Sequence, residues 1–444
     1  MCSSLAGNAI FGRMSYTRKI GFWGAVSIGI GGMVGGGIFA VLGLSAQLSG
    51  GGAPVSFAVG GLISLLTAYS YSRLSLAMPS QGGTVTFLDR AFKPGIIVGG
   101  LNILLWFSYI VMLSLYSYAF GSYGSTFAPA SFQPILKHIL ISGSIITMAG
   151  LNMLRADIIG RAEIWIVGLK IIILMIFIAV GSFGINFEQI SPETWSSPLQ
   201  LIAGGMIIFL AYEGFELIAN TAHDMKDPAK NMPRAYFSAV IFVIVLYILI
   251  ALVAIGNLPV NRIVEAEDYA LAEAARPFLG HFGFILISCA ALLSTGSAIN
   301  ATMYGTARLS YIIAKDGELP AVLEKKVWHR PLEGLILSSL ITLVIANVFD
   351  LSSISTMGSA GFLIIFAAVN GANAKLYRLT KSRRSISILG MVACIGALAV
   401  LIRQTAISSP GRIMVLLLMT GLAFIIEWLY RRLSGRKINI SEPK

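Results

Sequence analysis

The chain is short of charge. Only 12% of its 444 residues are charged and 56% are hydrophobic, whereas roughly a quarter of the residues of an ordinary soluble protein are charged. This composition excludes a water-soluble domain of this size. Runs of about 20 apolar residues recur along the chain, the length that crosses a hydrocarbon core as a helix. The sequence therefore predicts an all-α integral membrane protein.

Residues with metal-binding or nucleophilic chemistry are also few. The three cysteines have no paired spacing, and the four histidines are scattered near predicted helix ends, so that neither a disulfide frame nor a zinc site is indicated. An HExxH motif and paired intramembrane aspartates are missing too. We expect no cofactor and no metal. An intramembrane enzyme, one alternative class, lacks a nucleophile with its base.

Twelve spans are predicted from the apolar runs, with ends uncertain by a few residues. In chain order they cover residues 20–46, 53–77, 95–125, 133–153, 160–183, 199–222, 233–256, 281–314, 333–349, 354–377, 385–402 and 411–430.

Basic residues are distributed unevenly between the two sides of this arrangement. With both termini inside, 26 of the 32 lysines and arginines fall on the inner side and five on the outer side (Lys137, Arg262, Arg276, Arg403 and Arg412). Such an excess fixes orientation in a bilayer. We expect a multi-pass protein of the cell membrane with both termini cytoplasmic. Because the charges are spread over alternate loops, the net charge of +12 indicates no nucleic-acid partner.

The first span is unusually rich in glycine. It contains "SIGIGGMVGGGIFAVLG" at residues 27–43, although each interior glycine costs a helix roughly 1 kcal/mol relative to alanine. One interpretation is close helix packing through small-xxx-small pairs. The other is that the helix unwinds near Gly35–Gly37, which frees backbone groups at mid-membrane that can bind an anion such as a carboxylate.

Unwinding predicts a matching break in a second repeat. The sixth span reads "GGMIIFLAYEGFELIAN", in which Tyr212, Glu213 and Gly214 interrupt an apolar run, and five spans precede it. Two interrupted helices in corresponding positions favour unwinding over packing alone.

Two carboxylates near the second break have open roles. An acid deep in a span is costly and usually functional. Glu216 is interpreted either as structural, bonding freed N–H groups or tyrosine hydroxyls, or as a substrate contact. Glu213 either faces the cavity and attracts a cation, or turns toward a loop and water.

Several motifs together resemble the amino acid–polyamine–organocation superfamily of transporters. They are "IGGMVGGGIF" in the first span, "AYEGFE" with "KDPAKNMPRA" around the end of the sixth, "SAINATMYGTARLSYIIAKDGELP" in the eighth, and the loop "MPSQGGTVTFLDRAF". Within the superfamily the chain is similar to archaeal broad-specificity, proton-coupled amino acid transporters. Those proteins carry a lysine in the fifth helix where relatives bind sodium, and Lys170 stands at that position.

The resemblance implies a LeuT-type fold and a domain order. It gives inverted repeats at 20–183 and 199–377, two further helices at 385–430, an N-terminal tail at 1–19 and a basic tail at 431–444. It also implies that the substrate carboxylate meets N–H groups of Gly35, Gly36 and Gly37. The ammonium then meets carbonyls near Met33 and in the 209–213 stretch, and the substrate side chain faces Phe209, Ala211, Tyr109 and Met112, close to Tyr212 and Glu213.

Lys170 is the predicted coupling group. The resemblance implies contacts with the Gly31 carbonyl and the Ser294 hydroxyl, with Ser297 nearby, in place of the second sodium site. Burial disfavours the charged form of a lysine, so that a buried lysine can exchange a proton near neutral pH. The alternative is a lysine that snorkels to an interface.

The predicted function is therefore import of amino acids by proton symport, with alternating access around the two broken helices. The partners are the substrate, protons and the bilayer. An exchanger of amino acids or polyamines, and a carrier of cationic amino acids that uses Glu213, remain as alternatives, as does a sensor derived from a transporter. Segment 258–280 is either a lid over the outer vestibule or a solvated connector.

Overall fold

The computed structural model describes residues 20–80, 82–93, 95–154, 159–319, 323 and 332–434. Across these residues the regular structure is helical, which confirms the predicted all-α class. The α-helices are α1 (Phe22–Met33), α2 (Gly37–Ser49), α3 (Ala53–Ala77), α4 (Thr84–Phe92), α5 (Ile96–Ser125), α6 (Gln133–Leu154), α7 (Ile159–Gly181), α8 (Pro198–Ile207), α9 (Pro228–Asn257), α10 (Val260–Glu265), α11 (Ala270–Lys315), α12 (Leu332–Val348), α13 (Leu351–Lys375), α14 (Tyr377–Thr380), α15 (Arg384–Ser408) and α16 (Pro410–Ser434).

The helices reproduce the predicted spans closely. In the described part of the chain, nine helices are long and apolar enough to cross a membrane, and two bent pairs, α1 with α2 and α8 with the 3₁₀ segment Phe209–Thr221, raise the number to eleven. The shorter apolar helix α12 occupies the place of the remaining predicted span. The predicted tail 1–19 lies outside the described residues, and the predicted tail 431–444 begins within α16.

Burial separates a central layer of helices from a peripheral one. In α5 and α13, 83% of the most apolar window is buried inside the protein, against 17% in α6, 28% in α15 and 22% in α16. A helix that is apolar all round yet poorly covered by protein faces lipid. The inner helices, by contrast, surround the two bent pairs.

A short helical segment covers one end of the bundle. It consists of α10, the 3₁₀ turn Glu267–Tyr269 and the start of α11, up to a break at Gly280, whose φ of 61° favours glycine. Ile263, Ala270 and Leu271 are fully buried. This packing fits the lid interpretation of segment 258–280 and excludes a solvated connector.

At the opposite end, α4 lies before α5 and packs against it and against α13. Val85, Phe87 and Leu88 are buried, and Arg90 is exposed. This helix is therefore amphipathic and rests on the end of the bundle that the charge distribution predicts to be cytoplasmic.

Candidate substrate and coupling site

The first break separates α1 from α2. Residues 34–36 are not helical, and the two helices are bent by 49°. A Cβ on Gly36 would lie 2.5 Å from Cδ1 of Tyr116 and 2.8 Å from Cγ2 of Thr295. The glycines therefore serve both interpretations: they permit unwinding and the close approach of other helices. The first N–H groups of α2 have no acceptor within the helix and point toward the break.

The second break separates α8 from the 3₁₀ segment, with a bend of 48°. Two serines of α13 satisfy the backbone there: the Ile207 carbonyl accepts from Ser355 Oγ at 2.5 Å and Ser359 Oγ at 3.1 Å, and the Leu210 N–H donates to Ser359 Oγ at 3.2 Å. Helices interrupted within a membrane need such partners. A 3₁₀ run of 13 residues is long for this helix type, and often marks a hinge.

The two breaks contact each other directly. A Cβ on Gly214 would lie 2.2 Å from the carbonyl carbon of Gly32, so the backbones touch. The hydroxyl of Tyr247 on α9 spans both breaks, because it donates to the Met33 carbonyl at 2.6 Å and lies 3.3 Å from the Ala211 carbonyl. Tyr247 was not among the residues predicted from the sequence. Its signal was one polar side chain within the apolar run "IFVIVLYILIALVA".

Of the predicted lining residues, Phe209, Ala211 and Met112 are buried and Tyr109 is half-buried, and they face different neighbours. Ala211 packs on Gly37, where an added Cβ would lie 2.8 Å from the Ala211 Cβ. Phe209 packs edge-on against Phe366, and Met112 of α5 is 1% exposed. Tyr212 points away from the break, since its hydroxyl donates to the Phe57 carbonyl of α3 at 2.8 Å.

Glu216 is held by tyrosines. Its Oε2 accepts from the Tyr71 hydroxyl at 3.0 Å and its Oε1 accepts from the Tyr109 hydroxyl, the contacts that the structural interpretation of Glu216 requires. Glu213 is 5% exposed and lies beside the Glu216 carboxyl and the Tyr116 ring. The interpretation in which Glu213 turns toward a loop and water is therefore wrong.

Lys170 lies in the interior of the bundle. It is 2% exposed, and its Nζ is 3.4 Å from the Gly31 carbonyl oxygen near the end of α1. This burial excludes snorkelling to an interface. Ser294 of α11 donates instead to the Val34 carbonyl at 3.1 Å and to the Gly35 carbonyl. The implied hydrogen bond between Lys170 and Ser294 is thus replaced by separate contacts of each side chain with the carbonyl end of the first break.

Ser297 follows Ser294 by nearly one turn of α11 and is half-buried. It lies on the helix that also supplies Thr295 to the tight contact with Gly36. The structure therefore brings together Lys170, Gly31 and Ser294 around one break, and Ser297 lies three residues further along α11.

A cavity lies at each end of the bundle. At the lid end, Asp268 forms an ion pair with Lys137 at 2.5 Å and accepts from Ser122 Oγ at 3.1 Å. At the α4 end, a cavity of about 150 Å³ reaches Glu216 and Tyr109. The lid end holds a larger cavity of about 460 Å³, which Lys137, Asp268 and Ser122 line, whereas the smaller cavity at the α4 end is the one lined by Glu216 and Tyr109.

Comparison with known proteins identifies the family. The family described as amino acid permease matches residues 20–426. The chain is 35% identical over 420 residues to Uncharacterized protein MJ0609 of Methanocaldococcus jannaschii, covering 94% of this chain and 97% of that protein. It is 34% identical to Inner membrane transport protein YbaT of Escherichia coli, covering 79% and 82%. It is also 27% identical to Methylthioribose transporter of Bacillus subtilis, covering 80% of each.

Proposed function

The chain belongs to the amino acid permease family, a multi-pass transporter family of the amino acid–polyamine–organocation superfamily and not a family of enzymes, and we propose that it imports amino acids by proton symport. The observation that carries the proposal is the buried ammonium of Lys170 against the Gly31 carbonyl. This contact supplies a titratable group at the first break.

A free amino acid carries a negative carboxylate and a positive ammonium group, so its binding site needs a partner for the carboxylate and one for the ammonium. The N–H groups at the start of α2 offer the first, around Gly35, Gly36 and Gly37. Carbonyls at the ends of α1 and of the 209–213 stretch offer the second; that of Met33 keeps a lone pair beside its bond from Tyr247. Main-chain recognition leaves the substrate side chain against Phe209, Ala211 and Met112. An apolar pocket discriminates by only about 1–3 kcal/mol per methylene, so we expect broad specificity.

In this proposal, the charge state of Lys170 couples proton movement to substrate transport. Protonated, its ammonium attracts the Gly31 carbonyl and joins α7 to α1. Neutral, it loses the charge that strengthens this hydrogen bond, and α1 is freer to move relative to α7 and α11. Alternating access is then a rocking of the two broken pairs, with the lid segment closing one side and α4 the other.

The charge distribution supports a cell-membrane orientation with both termini cytoplasmic. In this orientation the lid is extracellular and α4 is cytoplasmic. We assign the inverted repeats to 20–183 and 199–377, with α15 and α16 as the two further helices; the two bent pairs, one at the start of each half, support this division.

A carrier of cationic amino acids is the second candidate. Glu213 favours it, since a carboxylate 5% exposed beside the break would attract a substrate cation. An exchanger would share this site.

Uptake into vesicles tests both candidates. Purified protein is reconstituted and supplied with labelled neutral amino acids, cationic amino acids, a polyamine and methylthioribose. Accumulation of neutral amino acids from an acidic exterior supports symport. Uptake restricted to cations supports the second candidate, and transport seen only with preloaded substrate identifies an exchanger. Uptake of methylthioribose alone contradicts amino acid transport.

A further inference from the structure

Asn102 joins α4 to α5 and to the chain that follows α11. Its side-chain nitrogen donates to Asp89 Oδ1 at 3.1 Å and to Glu318 Oε2 at 2.8 Å. Asp89 belongs to α4, and Glu318 lies three residues beyond the end of α11. One carboxamide on α5 thus uses both its N–H groups on two carboxyl groups. This cluster of Asp89, Asn102 and Glu318 lies on elements other than α7, which carries Lys170, and other than the two bent pairs.

The surroundings of the cluster are acidic. Glu318 is 1% exposed and Asp89 9% exposed. Among the described residues, the charged groups that act on the pair are Asp316 after α11 and Glu427 of α16, whose ion-pair partner Arg431 lies at 2.6 Å. Two basic residues lie toward the end of α4: Arg90, which is exposed, and Lys375 of α13, which lies over the Phe92 ring. Two buried carboxylates beside a third and a fourth acid repel one another if all are ionised.

Two oxygens of the cluster point to what it binds. Oε1 of Glu318 and Oδ1 of Asn102 are buried and accept no hydrogen bond in the described structure. Leaving a buried acceptor unsatisfied costs about 1–3 kcal/mol. Both atoms are acceptors on side chains already joined by one N–H···O bond. A carboxylic acid and a primary amide pair through two bonds, N–H···O and O–H···O, and the second needs one proton on the carboxyl.

The ligand that fits is a proton and not a metal ion. In the described part of the chain, no group of three or more histidine, cysteine, aspartate or glutamate side chains could hold a metal. Burial raises the pKa of Asp89 to about 7. Burial, with the nearby charge of Asp89, raises the pKa of Glu318 to about 8. A carboxyl group at this place therefore retains a proton near neutral pH.

We propose that Asp89, Asn102 and Glu318 form a proton-binding site on the α4 side of the bundle, and that the bound proton fastens α4 to α5 and to the end of α11. The site is separate from the proposed coupling group. Its effect on transport rests on the proposed function, whereas its protonation does not.

The direction of the pH effect follows from the raised pKa values. With α4 released, Asp89 and Glu318 are exposed acids with ordinary pKa values near 4. Between about pH 4 and about pH 7–8, the protein with α4 fastened therefore binds more protons than the protein with α4 released. Fastening is therefore strongest in acid and weakens as pH rises to about 8, by up to about tenfold in the equilibrium constant per pH unit for each proton. Acidity on the α4 side holds α4 against the bundle and slows its movement.

Infrared difference spectroscopy tests proton binding without transport. Spectra of the reconstituted wild-type protein at acidic and alkaline pH should show a protonated-carboxyl band that disappears between about pH 7 and about pH 8. Glu318→Gln should remove the Glu318 share of this band, the part that disappears near pH 8. Asp350→Asn is the matched control, because hydrogen bonds from Ser353 and the charge of Arg412 lower the pKa of Asp350 despite its partial burial, and it should leave the band unchanged. The same band in Glu318→Gln as in the wild type would overturn the site.

Transport tests the fastening. With external pH fixed, internal pH is varied, and the rate in Glu318→Gln is compared with that in the wild type under the same gradients. Glutamine mimics the protonated, neutral form of Glu318 at every pH. The variant should therefore transport at the slow rate that the wild type shows at acidic internal pH, and it should lack the acceleration that the wild type shows at alkaline internal pH. Equal acceleration in both proteins would contradict the fastening role. If neither protein transports an amino acid, the proposed function fails while the infrared result still decides the proton site.

Discussion

The side-chain nitrogen of Lys170 lies 3.4 Å from the carbonyl oxygen of Gly31, in the interior of the bundle. Gly31 is three residues before the non-helical stretch 34–36, so that the ammonium stands at the carbonyl end of the first break. A positive charge is stabilised at the carbonyl end of a helix. A charge at this position can therefore change how firmly α1 is held against α7.

Gly36 should not tolerate a side chain. In Gly36→Ala the new Cβ would lie 2.5 Å from Cδ1 of Tyr116 and 2.8 Å from Cγ2 of Thr295, so either the break or α5 must move. We expect uptake and substrate binding to be lost together. Calorimetry on the purified protein measures binding.

The matched control is Gly143→Ala in α6, where an added Cβ has no atom within 4 Å. It should bind and transport like the wild type, because alanine in an open helix position is, if anything, stabilising by up to about 1 kcal/mol. Substrate binding retained in Gly36→Ala would mean that the glycines serve packing alone.

Tyr247→Phe should uncouple the two breaks. The change removes the hydroxyl that contacts the Met33 and Ala211 carbonyls and costs about 0.5–1.5 kcal/mol per hydrogen bond. We expect the uptake rate to fall by about tenfold, the equivalent of about 1.4 kcal/mol. Tyr236→Phe is the control. Tyr236 lies on α9, as Tyr247 does, and this change removes a hydrogen bond of 3.1 Å to Ser75 of α3. An equal loss of rate in both variants would assign the effect to general destabilisation.

Glu213→Gln should change the charge preference of the site. Removing a buried carboxylate beside the second break should weaken binding of cationic substrates by about tenfold or more and leave neutral amino acids little affected. Competition by lysine and by leucine against one labelled substrate measures both. Glu188→Gln, at an exposed position of the 3₁₀ turn Phe187–Ile190, serves as the control. Unchanged competition by lysine would exclude Glu213 from the substrate site.

The lid should respond to loss of its ion pair. Lys137→Gln and Asp268→Asn each remove the 2.5 Å contact that holds the 3₁₀ turn Glu267–Tyr269. The pair is partly exposed, so we expect an effect on lid closure of only about 0.2–1 kcal/mol, seen as higher apparent affinity for external substrate. The double variant should match either single one. Additive effects would show that the two side chains act separately.

The sequence predicted the spans and both breaks because apolar length and glycine placement are local signals. The predicted span 53–77 coincides with α3, and the interruption at Tyr212–Gly214 falls in the 3₁₀ segment. What satisfies the breaks was not predictable in this way. Ser355 and Ser359 are more than 140 positions from Ile207. The sequence does not show which backbone groups the small polar residues of an apolar helix bond.

The same limit applies to charged and amide side chains near span ends. Asp89 and Glu318 lie outside the predicted spans, and the sequence does not show that the fold buries both beside Asn102. The role of Ser294 differed from the implied one for a related reason. A hydroxyl next to several freed carbonyls bonds the ones that the backbone geometry brings nearest, Val34 and Gly35.

Uptake by Lys170→Ala is the most direct test of the central proposal. Labelled amino acid is supplied to proteoliposomes of the wild type and the variant, with proton and sodium gradients imposed separately. We expect the wild type to accumulate substrate when the exterior is acidic, with or without sodium, and the variant to take up substrate only to equilibrium. Accumulation by the variant that still follows the proton gradient, or a wild type that requires sodium, would contradict the proposal.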